Sequence, residues 1–241
     1  SLHDAYKSII EAFIHAGVAN NTEVNIKWVD TEELETTEDL THYFEGVDGV
    51  LIPGGFGDRG IEGKILSSQF ARENKIPYLG ICLGMQCAII DFARNLCEMK
   101  NANSSEFKLR LKFPVIDLMH GQRNVTKKGA TMRLGTYPCE VKNGTNAYKA
   151  YGKKRIDERH RHRFEVNNDF KEELVKAGLV ISGVNKDLDL IEMIEVKDHP
   201  WFVGVQFHPE LKSRVVDVHP LFKDFVSAAK KYKRNGSTSK S

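Results

Sequence analysis

A chain of 241 residues, 41% apolar and 28% charged, suits one large domain or two small ones and is too apolar to stay unfolded. Thirty-five basic residues against 33 acidic ones leave a net charge of +2, which argues against a dedicated nucleic-acid binder. No apolar run approaches the ~18 residues of a membrane-spanning helix, so neither nucleic acid nor membrane is an expected partner. The opening Ser1-Leu2-His3-Asp4-Ala5-Tyr6-Lys7 lacks the apolar core of a signal peptide. Four cysteines (Cys82, Cys87, Cys97, Cys139) form no CxxC pair, which suits a reducing, cytoplasmic setting better than a disulfide scaffold or a zinc site.

Taken along the chain, Ala5 to Ala19 places Ala5, Ile9, Ala12, Phe13 and Ala16 at helical spacing. Val24 to Val29 alternates and predicts a strand, and Glu32 to Leu40 a loop with a short helix. Gly49 to Ile52 is a short buried strand stopped by Pro53-Gly54-Gly55. A helix over Ile61–Asn74, a strand over Ile76–Ile81 and a helix over Met85–Met99 follow. This alternation predicts a parallel sheet covered on both faces. After Lys112, Thr131–Leu134 and Tyr137–Val141 read as paired strands, with a turn at Asn143-Gly144. Asp169–Ala177 reads as a helix. Leu179–Val184, Leu190–Val196 and Phe202–Phe207 read as partly antiparallel strands, and His219–Tyr232 as a closing helix. The expectation is one α/β domain over 1–232: a mostly parallel central sheet flanked by helices on both faces, with an added antiparallel section. Lys233–Ser241 is polar and is expected to be a disordered tail.

Gly80-Ile81-Cys82-Leu83-Gly84 falls between a strand and a helix and has the form of a nucleophile elbow with cysteine at its centre. Such a turn forces strained backbone on the nucleophile, and small neighbours let the chain cross. The thiol then sits at a helix N-terminus, whose dipole favours negative charge. The Leu83 N–H would be free to donate to an oxyanion. The structural alternative is a buried cysteine beside two turn glycines. Gly204-Val205-Gln206-Phe207-His208-Pro209-Glu210 ends an apolar strand on a histidine, with a carboxylate two residues on to orient the ring. Taken alone, such a histidine is more often structural or simply exposed; the two motifs together are far more specific.

Two further stretches stay open. Gly55, Gly57 and Gly60 spell GxGxxG, but Pro53 and an extra glycine lengthen the turn. The alternative to a dinucleotide site is that Gly55 presents an oxyanion-hole N–H. No Walker-type phosphate loop occurs. In Arg159-His160-Arg161-His162-Arg163, an extended chain puts the arginines on one face and the histidines on the other. The stretch offers an anion clamp or a solvated basic face; no ligand set for a metal is evident.

Together these motifs resemble the class I glutamine amidotransferase family, and within it the amidotransferase domains of CTP synthases. The narrower likeness rests on Asn101-Ala102-Asn103-Ser104-Ser105-Glu106-Phe107, on Thr131-Met132-Arg133-Leu134-Gly135 and on the Glu158–Asn167 stretch. The resemblance implies a flavodoxin-like three-layer sandwich and a Cys82–His208–Glu210 triad. The N–H groups of Gly55 and Leu83 would form the oxyanion hole. Glutamine would be bound by Gly55, Leu83, Gly84, Met85, Gln86, Glu106 and Arg163. Glutamine would yield glutamate and ammonia through a γ-glutamyl thioester. The resemblance gives this domain no cofactor or metal. The ammonia would serve ATP- and Mg2+-dependent amination of UTP in a synthase domain, expected to lie outside this chain and tetrameric in the family. GTP would be an activator, with Phe56, Arg59 and Arg161 as contacts. The family's domain opens on a strand ahead of the first helix; here the helix comes first, so an incomplete sheet edge is expected. Asp58 and Val215-Val216 also depart from the family pattern. The competing expectations are a stand-alone γ-glutamyl hydrolase and a non-enzymatic nucleotide-binding module on the Lys153–Arg163 stretch.

Overall fold

The computed structural model describes residues 6–108, 110–118 and 132–238, with side chains to 235. Ala5, Thr131 and the tail beyond 238, which entered the expectations above, lie outside the described residues.

Helix α1 (Lys7–Ala19) buries Ile9, Ala12, Phe13 and Ala16, the stripe its spacing predicts. Short helices α2 (Thr31–Leu34, capped by the Asp30 side chain on the Glu32 N–H) and α3 (Thr41–Phe44) lead to β1 (Val50–Ile52). Then α4 (Ile61–Glu73), β2 (Tyr78–Ile81) and α5 (Leu83–Leu96) alternate as expected. Strands β3 (Asn103–Ser104), β4 (Pro114–Leu118) and β7 (Phe164–Val166) form a small second sheet. The rest of the main sheet comes from β5 (Arg133–Val141), β6 (Arg155–His162), β8 (Leu179–Asn185), β9 (Leu190–Val196) and β10 (Phe202–Val205). Helices α6 (Asn146–Tyr151), α7 (Lys171–Lys176) and α8 (Pro220–Thr238) complete the fold.

The main sheet has seven strands in the order β1-β2-β10-β9-β8-β5-β6. Its side chains alternate between two cores. Tyr78 and Phe202 face α4 and α5, while Leu79, Ile81, Val203 and Val205 face α1 and α8. On that second side Phe13 meets the edge of Phe222 at 5.4 Å. The three-layer α/β class is therefore as expected.

The balance within the sheet differs from the expected one. Parallel pairing is confined to β1, β2 and β10, and every pair from β10 through β9, β8 and β5 to β6 is antiparallel. The reason is connection length. β8 and β9 are joined by the four residues between Asn185 and Leu190, too few for the crossover a parallel pair needs. Thr131–Leu134 and Tyr137–Val141 do not pair with each other. From Arg133 they form the single strand β5, paired along its length with β6, and the Asn143-Gly144 turn leads into α6.

Val24–Val29 forms no strand. Among the described residues nothing pairs with it, and β1 bonds only to β2. Without a ladder, alternation alone gives irregular chain whose Val24 and Ile26 still pack inward. At the other end α8 runs to Thr238, so Lys233–Thr238 is helical rather than a disordered tail. Propagation past Tyr232 costs little once the helix is nucleated, and Lys233 meets Asp48 at 3.5 Å.

Candidate active site

Three chain segments meet at the C-terminal ends of β1, β2 and β10. The β2–α5 junction is the tightest turn. Cys82 adopts φ 51°, ψ −102°, backbone that L residues avoid. Its N–H donates to the Val205 carbonyl at 2.7 Å, which locks the elbow to β10. The crossing needs both glycines. A Cβ on Gly80 would lie 2.8 Å from the Gly84 backbone, and one on Gly84 would run into the Ile52 carbonyl. Leu83 is the first residue of α5, so its N–H has no intrahelical acceptor. Gly55 lies over it: a Cβ there would touch the Leu83 side chain at 3.4 Å. The two N–H groups expected to hold an oxyanion thus belong to neighbouring residues.

His208 follows β10, and its Nδ1 bonds the Glu210 Oε1 at 2.7 Å. With Glu210 accepting, Nδ1 carries a proton and Nε2 is left to the nucleophile side. That Nε2 is buried without a hydrogen-bond partner. Burial disfavours charge on this ring, but the adjacent Cys82 sulfur and Glu210 carboxylate favour the protonated form and raise His208 to about 10. Gly54 makes the approach possible. A Cβ there would lie 2.7 Å from the His208 Cε1 and 3.5 Å from the Cys82 Cβ. Gly54→Ala is therefore expected to push the imidazole off the thiol and cut turnover about 100-fold, with a melting temperature close to wild type. Steady-state kinetics with a thermal melt check it.

A small pocket opens over Cys82. Its walls are Gly55, Phe56, Gln86, Glu106, His162, Arg163 and Phe164. Its lining includes a carboxylate and a guanidinium, Glu106 and Arg163, and the Arg163 Nε is buried with no hydrogen-bond partner. Such a pair matches the ammonium and carboxylate of an amino acid. Of the expected substrate contacts, Gly55, Gln86, Glu106 and Arg163 line the pocket, while Leu83, Gly84 and Met85 do not. Met85 is fully buried and points towards Gly204 and the sheet, and Gly84 is pressed against Ile52.

Within β6 the arginine-histidine stretch divides as its alternation predicts, with Arg159 and Arg161 exposed and His160 and His162 buried, but Arg163 lies beyond the strand and turns into the pocket beside His162 instead of sharing the arginine face. Both histidines meet carboxylates. His162 Nε2 lies 2.8 Å from Glu165, and His160 Nε2 lies 3.6 Å from Glu192. Burial, with Arg133 nearby, pushes His160 down to about 2. Arg161 lies 5.8 Å from the centroid of the exposed Phe56 ring, and Arg59 pairs with Glu32. Among the described residues no group of three or more His, Cys, Asp or Glu side chains is arranged to hold a metal ion. Nor is any helix of the described residues long and apolar enough to cross a membrane.

Two participants take no role in the functional motifs of the sequence. His162 reaches the pocket wall, signalled by its place on the inward face of β6. Gln206 donates to the Cys82 Sγ at 3.6 Å, and its only sequence signal is an amide inside an apolar strand end.

A family model described as glutamine amidotransferase class-I matches residues 1–228. A CTP synthase of Clostridium kluyveri is 56% identical over 228 residues, 95% of this chain and 42% of the relative. One of Chloroherpeton thalassium is 58% identical over 231 residues, again 95% and 42%. The chain thus spans about two fifths of the length of the curated relatives it matches. Among solved structures, the glutaminase domain of Trypanosoma brucei CTPS with bound acivicin superposes with a TM-score of 0.89. The two are 38% identical, and the match covers 95% of this chain and 89% of that one.

Proposed function

Because this chain belongs to the class-I glutamine amidotransferase family, we propose that it hydrolyses L-glutamine with Cys82 as nucleophile. The observation that carries this is the Cys82 elbow facing the Glu210-bonded His208, beneath a pocket whose lining includes Glu106 and Arg163. Arg163 takes the α-carboxylate and Glu106 the α-ammonium, which places the side-chain amide at the sulfur. Sulfur attacks the amide carbon, and the oxyanion is held by the N–H groups of Gly55 and Leu83. His208 Nε2, having taken the thiol proton as sulfur attacks, passes it to the departing nitrogen, and ammonia leaves the γ-glutamyl thioester. Water then attacks the thioester with His208 as base; glutamate is released and His208 returns the proton to the departing sulfur, which regenerates the thiol. Glu210 holds the ring in the tautomer that both steps need.

The relatives support the rest of the reading. The ammonia would feed ATP- and Mg2+-dependent amination of UTP to CTP, a ligase reaction in a synthase domain of a tetrameric enzyme. GTP would act as activator: the exposed Phe56 ring with Arg161 beside it suits a purine and its phosphates, and Arg59 would exchange Glu32 for them. Four unpaired cysteines suit the reducing cytoplasm.

The test is mass spectrometry after treatment with a diazoketone analogue of glutamine. Labelling is expected at Cys82 alone and should be blocked by glutamine. Labelling elsewhere, or none, would overturn the reading.

A further inference from the structure

One chain of hydrogen bonds reaches the nucleophile independently of His208, and its atoms can be assigned without ambiguity. It starts at the backbone carbonyl of Phe164, which can only accept. The Gln86 amide lies 3.1 Å from it, so that contact must be the Gln86 Nε2. The same nitrogen is 3.2 Å from the side chain of Gln206, which must present its Oε1. The other end of the Gln206 amide is then an NH2 group, and it faces the Cys82 Sγ at 3.6 Å. Reversing either amide would set two donors, or two acceptors, against each other.

Both amides are held firmly. Gln206 is fully buried and Gln86 is 3% exposed. The Gln206 backbone N–H is fixed to the Glu192 carbonyl at 2.9 Å. An amide N–H aimed at sulfur has a definite chemical effect. It stabilises the thiolate more than the thiol, because a hydrogen bond to an ionised acceptor is about twice as strong as one to a neutral group.

We propose that Gln206, oriented by Gln86, is a positioning residue that activates the Cys82 thiol by donating a hydrogen bond to its sulfur. This also redefines Gln86. Its Nε2 is occupied by Phe164 and Gln206, so only its Oε1 remains for a substrate. The inference rests on Cys82 being the nucleophile, as proposed above.

The experiment is the pH dependence of Cys82 alkylation by iodoacetamide, followed by mass spectrometry, in wild type, Gln206→Met and Gln206→Glu. Methionine keeps the volume without a donor; glutamate keeps the shape and substitutes acceptor oxygens. Alkylation of wild-type Cys82 is expected to be about tenfold faster at pH 7 than in Gln206→Met, with the midpoint about one unit higher in the variant. Gln206→Glu should raise the midpoint further, and Gln86→Met should give a smaller shift in the same direction. In glutamine hydrolysis the loss should fall on kcat rather than KM. Midpoints unchanged in both folded Gln206 variants would overturn the proposal; folding is read from thermal melts of the same samples. If glutamine fails to protect wild-type Cys82 from the diazoketone, the glutaminase reading fails instead, and the alkylation result still decides the role of Gln206.

Discussion

Cys82→Ala is expected to lower glutamine hydrolysis at least about 10,000-fold while leaving glutamine binding within a few-fold of wild type. The size follows from the role: removing a covalent nucleophile leaves only the binding and oxyanion groups, which cannot open an amide alone. Binding should survive because Glu106 and Arg163 lie on segments distinct from the elbow. No other cysteine can substitute. Cys87 is buried in α5, its thiol pushed up to about 12 by burial. Cys139 is buried in β5 and pushed higher still by the same cause. Cys97 lies just past the far end of α5, and burial raises its thiol too. The variant must still fold, since the elbow's strain is one that alanine inherits unchanged. Glycine relieves it, so Cys82→Gly is expected to be equally inactive yet more stable than Cys82→Ala by about 1 kcal/mol. Isothermal titration with glutamine and a coupled glutamate assay check both halves; hydrolysis that persists in either variant would exclude Cys82 as nucleophile.

What could be read in the sequence divides by the range of the contact that decides it. The elbow was legible because its cause is local. Gly80, Cys82 and Gly84 sit on one turn, and the clashes that demand glycine lie in that turn and in the adjacent β1. The His208–Glu210 bond is likewise two residues long. The inward histidines of β6 followed from alternation alone. What was not legible depends on partners far away. Val24–Val29 has the same alternation whether or not a strand lies beside it, and the missing neighbour decided its state. The larger antiparallel part of the sheet follows from which strands meet, and β5 pairs with both β6 and β8 across intervening helices. Gln206 lies 124 residues from Cys82 in the chain, so nothing near either residue announces their contact. Glu192 did carry a local signal: a carboxylate in the middle of Leu190-Ile191-Glu192-Met193-Ile194 has to find a partner if the strand is buried.

That partner is Arg133, and its loss is the largest stability effect expected outside the hydrophobic core. Arg133 is 5% exposed. Its Nη1 donates to Glu165 at 2.9 Å and its Nη2 to Glu192 at 2.8 Å, and Tyr137 covers the guanidinium face at 4.4 Å. The three ions come from β5, β7 and β9, so one side chain ties the main sheet to the small sheet that carries the pocket wall. The neighbouring His160 does not share this role in the wild type, because burial, with Arg133 beside it, holds it neutral. Arg133→Met would leave two buried carboxylates without their cation, an expected loss of about 3–5 kcal/mol and roughly 10 °C in melting temperature. The pH dependence identifies the cause. Burial already pushes Glu192 up to about 7, against the pull of Arg133, and without Arg133 it must rise further. A raised carboxylate costs nothing below its ordinary value near 4.5, where it is protonated folded or unfolded, and costs progressively more from there up to the folded value, above which the cost is complete. Because Glu192 is protonated in both folded proteins below about 7, the melting deficit of Arg133→Met should be small at pH 5 and grow as pH rises above 7. Adding Glu192→Gln should recover part of it at pH 8 and little at pH 5. A deficit equal at both pH values would assign the loss to packing against Tyr137 rather than to the buried charges.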